Sequence, residues 1–126
     1  MDATGLLRAY ALAGIPAGLL AGLCLGLVAR REDGWGGYAS FPRRAARLGH
    51  VALVMLPVLA GGYAQWLAGA PSPAFSAAAF TWVLAAPALS AALFVAAWRP
   101  AWRAAIVPPA LALTGSAIAF AVTGLV

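Results

Sequence analysis

Long apolar runs alternate along the chain with short polar or proline-containing breaks. A helix that crosses a bilayer needs about 20 mostly apolar residues, and four of these runs come close to that length. We therefore predict transmembrane helices over residues 6–29, 51–70, 77–98 and 108–126. The predicted fold is an all-α integral membrane protein, in which four transmembrane helices form a small bundle and a single domain over residues 1–126.

One stretch, residues 30–50, departs from this pattern because it collects most of the charged residues between the first two predicted spans. Glycines in its first half predict a turn region. Ser40 stands two residues before a proline, as a helix cap would, so a short helix is expected to start there and to continue into the second span. Arg43, Arg47 and His50 would then share one stripe, at i, i+4 and i+7, that faces water or anionic lipid.

Composition excludes a soluble domain. Of the 126 residues, 64% are hydrophobic and 9% are charged, whereas soluble domains carry about 25% charged residues. The net charge of +5 is owed to arginine, because the chain has no lysine. Such an excess is typical of the cytoplasmic loops of membrane proteins, and no binding of nucleic acid is expected. Cys24 has no second cysteine with which to form an internal disulfide.

The arginines also predict the orientation. If all four helices cross, seven of the eight arginines lie on one side, within residues 30–50 and 99–103, and Arg8 lies on the other. Cytoplasmic loops are the ones that carry excess basic residues. Residues 30–50 are therefore expected to be a cytoplasmic loop with both termini non-cytoplasmic, in a cell membrane that we take to be a bacterial inner membrane.

The first predicted helix carries a glycine zipper. Its four glycines recur every fourth residue and so lie along one ridge of the helix, at Gly14, Gly18, Gly22 and Gly26. Small residues on such a ridge let two helix backbones approach closely, which is how helices associate in lipid. We expect this ridge to pack against another helix, either within the bundle or in a second subunit.

Candidate chemistry is sparse. An ionisable residue held at the centre of a membrane costs about 2.5–3.5 kcal/mol and usually marks a functional site, and the predicted spans hold none at depth. We expect no catalytic residue, no metal site and no cofactor held by this chain alone. His50 is a weak cofactor-binding candidate, because one histidine could ligate haem only together with a partner chain or a second copy.

The start of the second predicted helix is the expected contact with a partner. Guanidinium groups there could grip an acidic loop of another membrane subunit or the phosphate of an anionic lipid headgroup. The residues expected to make this contact are Arg43, Arg44, Arg47 and His50.

Three functional hypotheses follow from these features. The first is a non-catalytic accessory or scaffold subunit that associates with a larger membrane complex of respiratory or photosynthetic type. The second is a small homo-oligomeric transporter or channel, with a pathway lined by proline-freed carbonyls and by Ser90, Thr114 and Ser116. The third is a membrane enzyme, or a haem-binding subunit that acts through His50.

Overall fold

The computed structural model describes residues 2–28, 34–69 and 72–125, and the regular secondary structure within them is helical. Four long helices follow one another: α1 (Ala3–Val28), α2 (Phe41–Trp66), α3 (Pro73–Trp98) and α4 (Val107–Leu125). Short 3-10 helices, Gly34–Gly36 and Pro100–Ile106, precede α2 and α4. Four helical segments are long and apolar enough to cross a membrane, the fourth being α4 together with the 3-10 helix before it (Pro100–Leu125). The all-helical, four-helix architecture is thus confirmed, whereas membrane insertion and the orientation of the termini stay predictions.

Two helices begin at serine caps. Ser40 Oγ accepts a hydrogen bond from Arg43 N at 3.4 Å, and Ser72 Oγ accepts one from Phe75 N at 3.0 Å. Each serine is followed by a proline in the first turn of its helix, where the missing N–H has no intrahelical role. The short helix expected after Ser40 and the second span therefore form one continuous helix.

The observed bounds differ in detail from the predicted spans. The structure begins α4 at Val107, directly after a 3-10 helix that occupies the expected turn after α3. Pro108 and Pro109 favour a break in the α-helix at this point, because a proline disfavours the α-helical conformation of the residue before it. Residues 29–33, 70 and 126 of the predicted loop and spans, and residue 71 after the second predicted span, lie outside the described residues.

The helices pack in chain order, with α1 against α2, α2 against α3 and α3 against α4. Away from the arginines, an aromatic cluster joins three helices: the Tyr63 ring lies 4.5 Å from that of Phe120 and 5.3 Å from that of Trp82. Trp82 Nε1 also donates a hydrogen bond to the Leu56 carbonyl at 3.3 Å, which satisfies the indole inside the bundle. This cluster is the centre of the main core.

A smaller core lies at the opposite end, where Ala45 and Ala46 pack with Ala97. These side chains are small, so the first turns of α2 can approach the last turn of α3 closely. The contact places the arginines of α2 at the same end of the bundle as Arg99 and Arg103, which follow α3. We call this end of the molecule the arginine end.

Candidate functional site

Three glycines of α1 lie in close contact with α2. A Cβ atom built on Gly14 would come within 2.9 Å of Pro57 Cβ, and one on Gly18 within 2.7 Å of Val54 Cγ2. Real Cβ atoms essentially never approach other atoms that closely, so glycine is what permits this helix separation. The glycine ridge therefore packs inside the bundle at these positions.

The contact at Gly18 also involves the α2 backbone. Pro57 has no N–H, so the Leu53 carbonyl lacks the donor it would otherwise have four residues later. That carbonyl oxygen lies 2.9 Å from the Cβ position of Gly18, so a side chain at this position would collide with it. Gly18 therefore lies against a carbonyl that a proline has freed.

The ridge contact ends before the arginine end. Gly22 still meets α2, with its Cβ position 2.8 Å from His50 Nε2. One turn further along α1, a Cβ on Gly26 would find no atom of the described residues within 4 Å. Of the four predicted packing glycines, the structure therefore brings three against α2 and leaves Gly26 beside open space.

His50 is enclosed between α1 and α2. The edge of its imidazole that carries both nitrogens faces Gly22, and Nδ1 is buried with no hydrogen-bond partner among the described residues. Leaving a buried polar atom unpaired costs about 1–3 kcal/mol. The pattern at i, i+4 and i+7 placed His50 on a stripe facing water or lipid, whereas the structure turns this residue toward the neighbouring helix.

Two arginines of the predicted contact pack against the ring of Tyr38. The guanidinium of Arg47 lies 4.2 Å from the ring centroid, and that of Arg43 lies 5.7 Å away. Arg47 Nη2 also makes a long contact of 3.5 Å with the Tyr38 carbonyl. A guanidinium over an aromatic face is attracted by the ring quadrupole, by about 0.5–1 kcal/mol at exposed sites. Tyr38 thus restricts the side-chain conformations of Arg43 and Arg47.

The turn before α2 holds Tyr38 in this place. Trp35, Gly36 and Gly37 all have positive φ, at 61°, 80° and 88°, a backbone conformation that glycine adopts without strain. Ser40 Oγ donates a hydrogen bond to the Trp35 carbonyl at 2.6 Å and so closes the turn. The contact between Tyr38 and the arginines was missed in the sequence, although two adjacent glycines just before it are the signal of a chain reversal.

Other basic and aromatic side chains of the arginine end are exposed. Arg44 projects beside Arg47 on α2, and Arg99 and Arg103 follow α3. Two tryptophans accompany them, with 81% of Trp98 and 57% of Trp102 exposed. Indole rings of this kind concentrate at membrane interfaces. Arg30, Arg31, Glu32 and Asp33 lie outside the described residues.

The polar side chains suggested for a transport pathway bond to their own helices. Ser90 and Ser116 are buried, and they donate to the carbonyls of Ala86 at 3.3 Å and Ala112 at 2.9 Å. Thr114 is exposed and bonds in the same way four residues back. Their hydroxyl protons are therefore already satisfied. Within the part of the chain that the structure describes, no group of three His, Cys, Asp or Glu residues could hold a metal ion.

Comparison with known proteins assigns no family to this arrangement. No protein-family model, curated protein or solved structure matches the chain. Function has to be inferred from the packing, the charges and the exposed surfaces of the chain itself.

Proposed function

We propose that this protein is a non-catalytic, multi-pass subunit of a bacterial inner membrane that acts by associating with a larger membrane assembly of respiratory or photosynthetic type. The observation that carries the proposal is an interior closed by apolar packing. The two buried hydroxyls of the described residues both bond to their own helices. The buried side-chain polar atom left without a partner among the described residues is His50 Nδ1, and it is closed in against Gly22, so we place function on the outer surface.

The core supports this reading because large side chains fill it. Phe120, Leu7 and Pro57 are the largest fully buried side chains among the described residues. Phe120 is part of the aromatic cluster that joins α2, α3 and α4, and Leu7 belongs to the same core. A pathway for a polar solute through one copy of the bundle would require these side chains to separate, at a cost in buried apolar surface of about 25 cal/mol for each Å².

The outer face of α1 is the surface we assign to association. Only 11% of the apolar window of α1 is buried, against 39% for α3. At about 100° per residue, Leu20 and Leu27 lie on the side of α1 opposite Gly18, and they are 64% and 54% exposed. A helix attached to its own bundle by a glycine face thus presents a leucine face outward.

The arginine end supplies orientation and a second contact. By the positive-inside rule it faces the cytoplasm, which places both termini on the other side. Its guanidinium groups suit an acidic loop of a neighbouring subunit, because arginine makes planar two-point contacts with carboxylates. The residues we assign to this contact are Arg43, Arg44 and Arg47, whereas His50, the fourth residue of the predicted contact, packs against Gly22.

The geometry gives less support to the two competing functions. A transport pathway would use polar groups that are already bonded, and the Leu53 carbonyl freed by Pro57 is covered by Gly18. Haem ligation through Nδ1 of His50 would require α1 to move, because that nitrogen is buried against Gly22. Association therefore remains the function that the described contacts favour.

Site-specific photo-crosslinking in native membranes tests the proposal. A benzophenone amino acid is placed at Leu20 of α1, and in matched variants at Leu84 of α3 and Leu111 of α4, which are 73% and 67% exposed. We expect Leu20 to crosslink to a discrete membrane protein in near-stoichiometric yield, and we expect the control positions to give weaker or different products.

Two outcomes would reject the proposal. Products that contain two copies of this chain and nothing else would support a homo-oligomer, as a small transporter requires. Equal crosslinking from all three helices to lipid alone would mean that the leucine face of α1 is an ordinary lipid-facing surface.

A further inference from the structure

Arg8 lies inside α1 and not at its end. The predicted first span began at residue 6, whereas α1 begins at Ala3, so Arg8 is more than one turn into the helix. The midpoint of α1 falls between residues 15 and 16, about 11 Å from Arg8 at about 1.5 Å per residue. When α1 is centred in a hydrocarbon core of about 30 Å, the Cα atom of Arg8 is about 4 Å inside that core. Ionisable residues within spans usually pair with another group or mark a functional contact.

The described part of the chain offers Arg8 no partner. Arg8 is exposed, and none of the described residues makes an ion pair or a hydrogen bond with its guanidinium. Asp2 is the one acidic residue among them, and its Oδ1 accepts a hydrogen bond from Gly5 N at 2.8 Å and so caps α1. The other two acids, Glu32 and Asp33, follow the opposite end of α1 in the sequence and lie outside the described residues. The charge of Arg8 is therefore left to a group outside the described residues.

An exposed row of leucines continues along α1 from Arg8. At about 100° per residue, the side chains of Leu12, Leu19 and Leu23 stay within about 60° of Arg8 around the helix axis. The three leucines are 77%, 61% and 63% exposed. From Arg8 to Leu23 the row is about 22 Å long at about 1.5 Å per residue, so a single transmembrane helix can lie along all of it. We call these four residues the Arg8 stripe.

We infer that the Arg8 stripe binds a transmembrane helix of a different membrane protein, and that this helix carries one aspartate or glutamate in its non-cytoplasmic half. The guanidinium of Arg8 binds the carboxylate through two parallel hydrogen bonds, and the leucines pack along the same helix. The inference rests on the proposed association and names the chemistry of the partner. It concerns the end of the molecule opposite to the arginine end.

The charge on Arg8 decides which occupant fits the stripe. Two copies of this chain cross the membrane in the same direction, so a two-fold contact on the stripe would set two Arg8 guanidinium groups at the same level. Like charges that face each other across an interface are destabilising.

A lipid phosphate would neutralise Arg8 but would leave the leucines in ordinary contact with acyl chains. The anionic surface that attracts basic residues belongs to the cytoplasmic leaflet, and the positive-inside rule puts Arg8 at the other leaflet. A helix with a carboxylate is the occupant that uses both the charge and the leucines of the stripe.

A model helix in vesicles tests the inference with a defined probe. The probe is a synthetic Leu-Ala transmembrane helix with one glutamate about 11 Å from its midpoint, and its control helix carries glutamine at the same position. The full-length protein, labelled at Ala39→Cys in a Cys24→Ser background, is reconstituted in dioleoyl phosphatidylcholine, and energy transfer measures its association with each helix. We expect the glutamate helix to bind about thirtyfold more tightly, as when one member of a desolvated charge pair is otherwise missing.

Variants of the stripe assign this preference to its residues. Arg8→Gln should remove the preference for glutamate, and Arg8→Lys should keep part of it because the charge stays while the planar fork is lost. Arg103→Gln, which removes an exposed arginine after α3, is the matched control and should keep the full preference. Leu19→Ala should weaken binding of both helices, with Leu84→Ala on the exposed face of α3 as its control.

Three results in vesicles would overturn the inference. The first is equal binding of the glutamate and glutamine helices, and the second is an unchanged preference in Arg8→Gln. The third is loss of the preference when phosphatidylglycerol is added to the vesicles, because a lipid phosphate would then be the occupant of Arg8.

Photo-crosslinking from Leu20 in native membranes separates this inference from the proposed association. A partner product that the parent forms and Arg8→Gln loses supports both. A partner product that persists unchanged in Arg8→Gln leaves the association standing and rejects the role of Arg8. Absence of a partner product from the parent, with the glutamate preference intact in vesicles, rejects the association and leaves the recognition of a carboxylate by Arg8 standing.

Discussion

Replacing Gly18 by alanine gives the sharpest test of the close contact between α1 and α2. The added Cβ would lie 2.7 Å from Val54 Cγ2 and 2.9 Å from the Leu53 carbonyl oxygen. The valine methyl can turn aside, but the carbonyl belongs to the backbone of α2. To reach the 3.4 Å at which ordinary contact begins, the helices must separate by about 0.5 Å along this line. Forcing extra atoms into a packed interface typically costs about 1–3 kcal/mol.

Gly26→Ala is the matched control because it makes the same chemical change two turns along the same helix. Alanine is more favourable than glycine in a helix by about 0.8–1.0 kcal/mol, and this gain is common to both variants. The difference between the two variants therefore isolates packing. We expect Gly18→Ala to unfold more readily than Gly26→Ala by about 1–3 kcal/mol, which is roughly fivefold to 150-fold in the unfolding equilibrium.

Reversible unfolding in mixed micelles with increasing denaturing detergent measures this difference, with far-UV circular dichroism as the readout of helix content. Parent, Gly18→Ala and Gly26→Ala are compared at the same protein and lipid concentrations. Equal stability of the two variants would refute the reasoning. It would mean that Gly18 does not hold α1 against the Leu53 carbonyl.

The remaining predictions concern orientation and the histidine contact. Cysteines introduced at exposed Ala39 and Ala68, in a Cys24→Ser background, should react with a membrane-impermeant thiol reagent from opposite sides of the membrane; reaction of both from one side would exclude the four-span orientation. Gly22→Leu should destabilise the bundle because the added side chain meets the His50 ring, and His50→Ala should restore part of that loss in a double-mutant cycle. Additive effects of these two changes would show that the residues do not touch.

The helices were predictable from the sequence because their signals are local. Long apolar runs mark the spans, and Ser40 followed by Pro42 marks the start of α2. The predicted third span begins at residue 77, whereas α3 begins at Pro73 with Ser72 as its cap. The exact ends of the helices were less predictable. Before α4, for example, the prolines are compatible both with the expected turn and with the short 3-10 helix that the structure has there. The role of Ser40 as a helix cap depends on its own helix alone, and here the prediction and the structure agree.

The candidate site was only partly predictable because its contacts depend on which neighbour covers each face. Spacing identifies the stripe of Arg43, Arg47 and His50, but spacing is the same whether a stripe faces lipid or another helix. The register between α1 and α2 decides this point, and it encloses His50 against Gly22 while leaving Arg47 exposed. The boundary between these two environments falls within one turn of α2.

The geometry of α1 also explains why only three of the four glycines of the ridge contact α2 among the described residues. A straight helix turns about 100° per residue, so glycines every fourth residue drift about 40° per step around its axis. Gly14, Gly18 and Gly22 stay within reach of α2, and by Gly26 the ridge has turned toward the outside. A regular sequence repeat thus gives a helix contact of limited length, because the fourth glycine no longer faces α2.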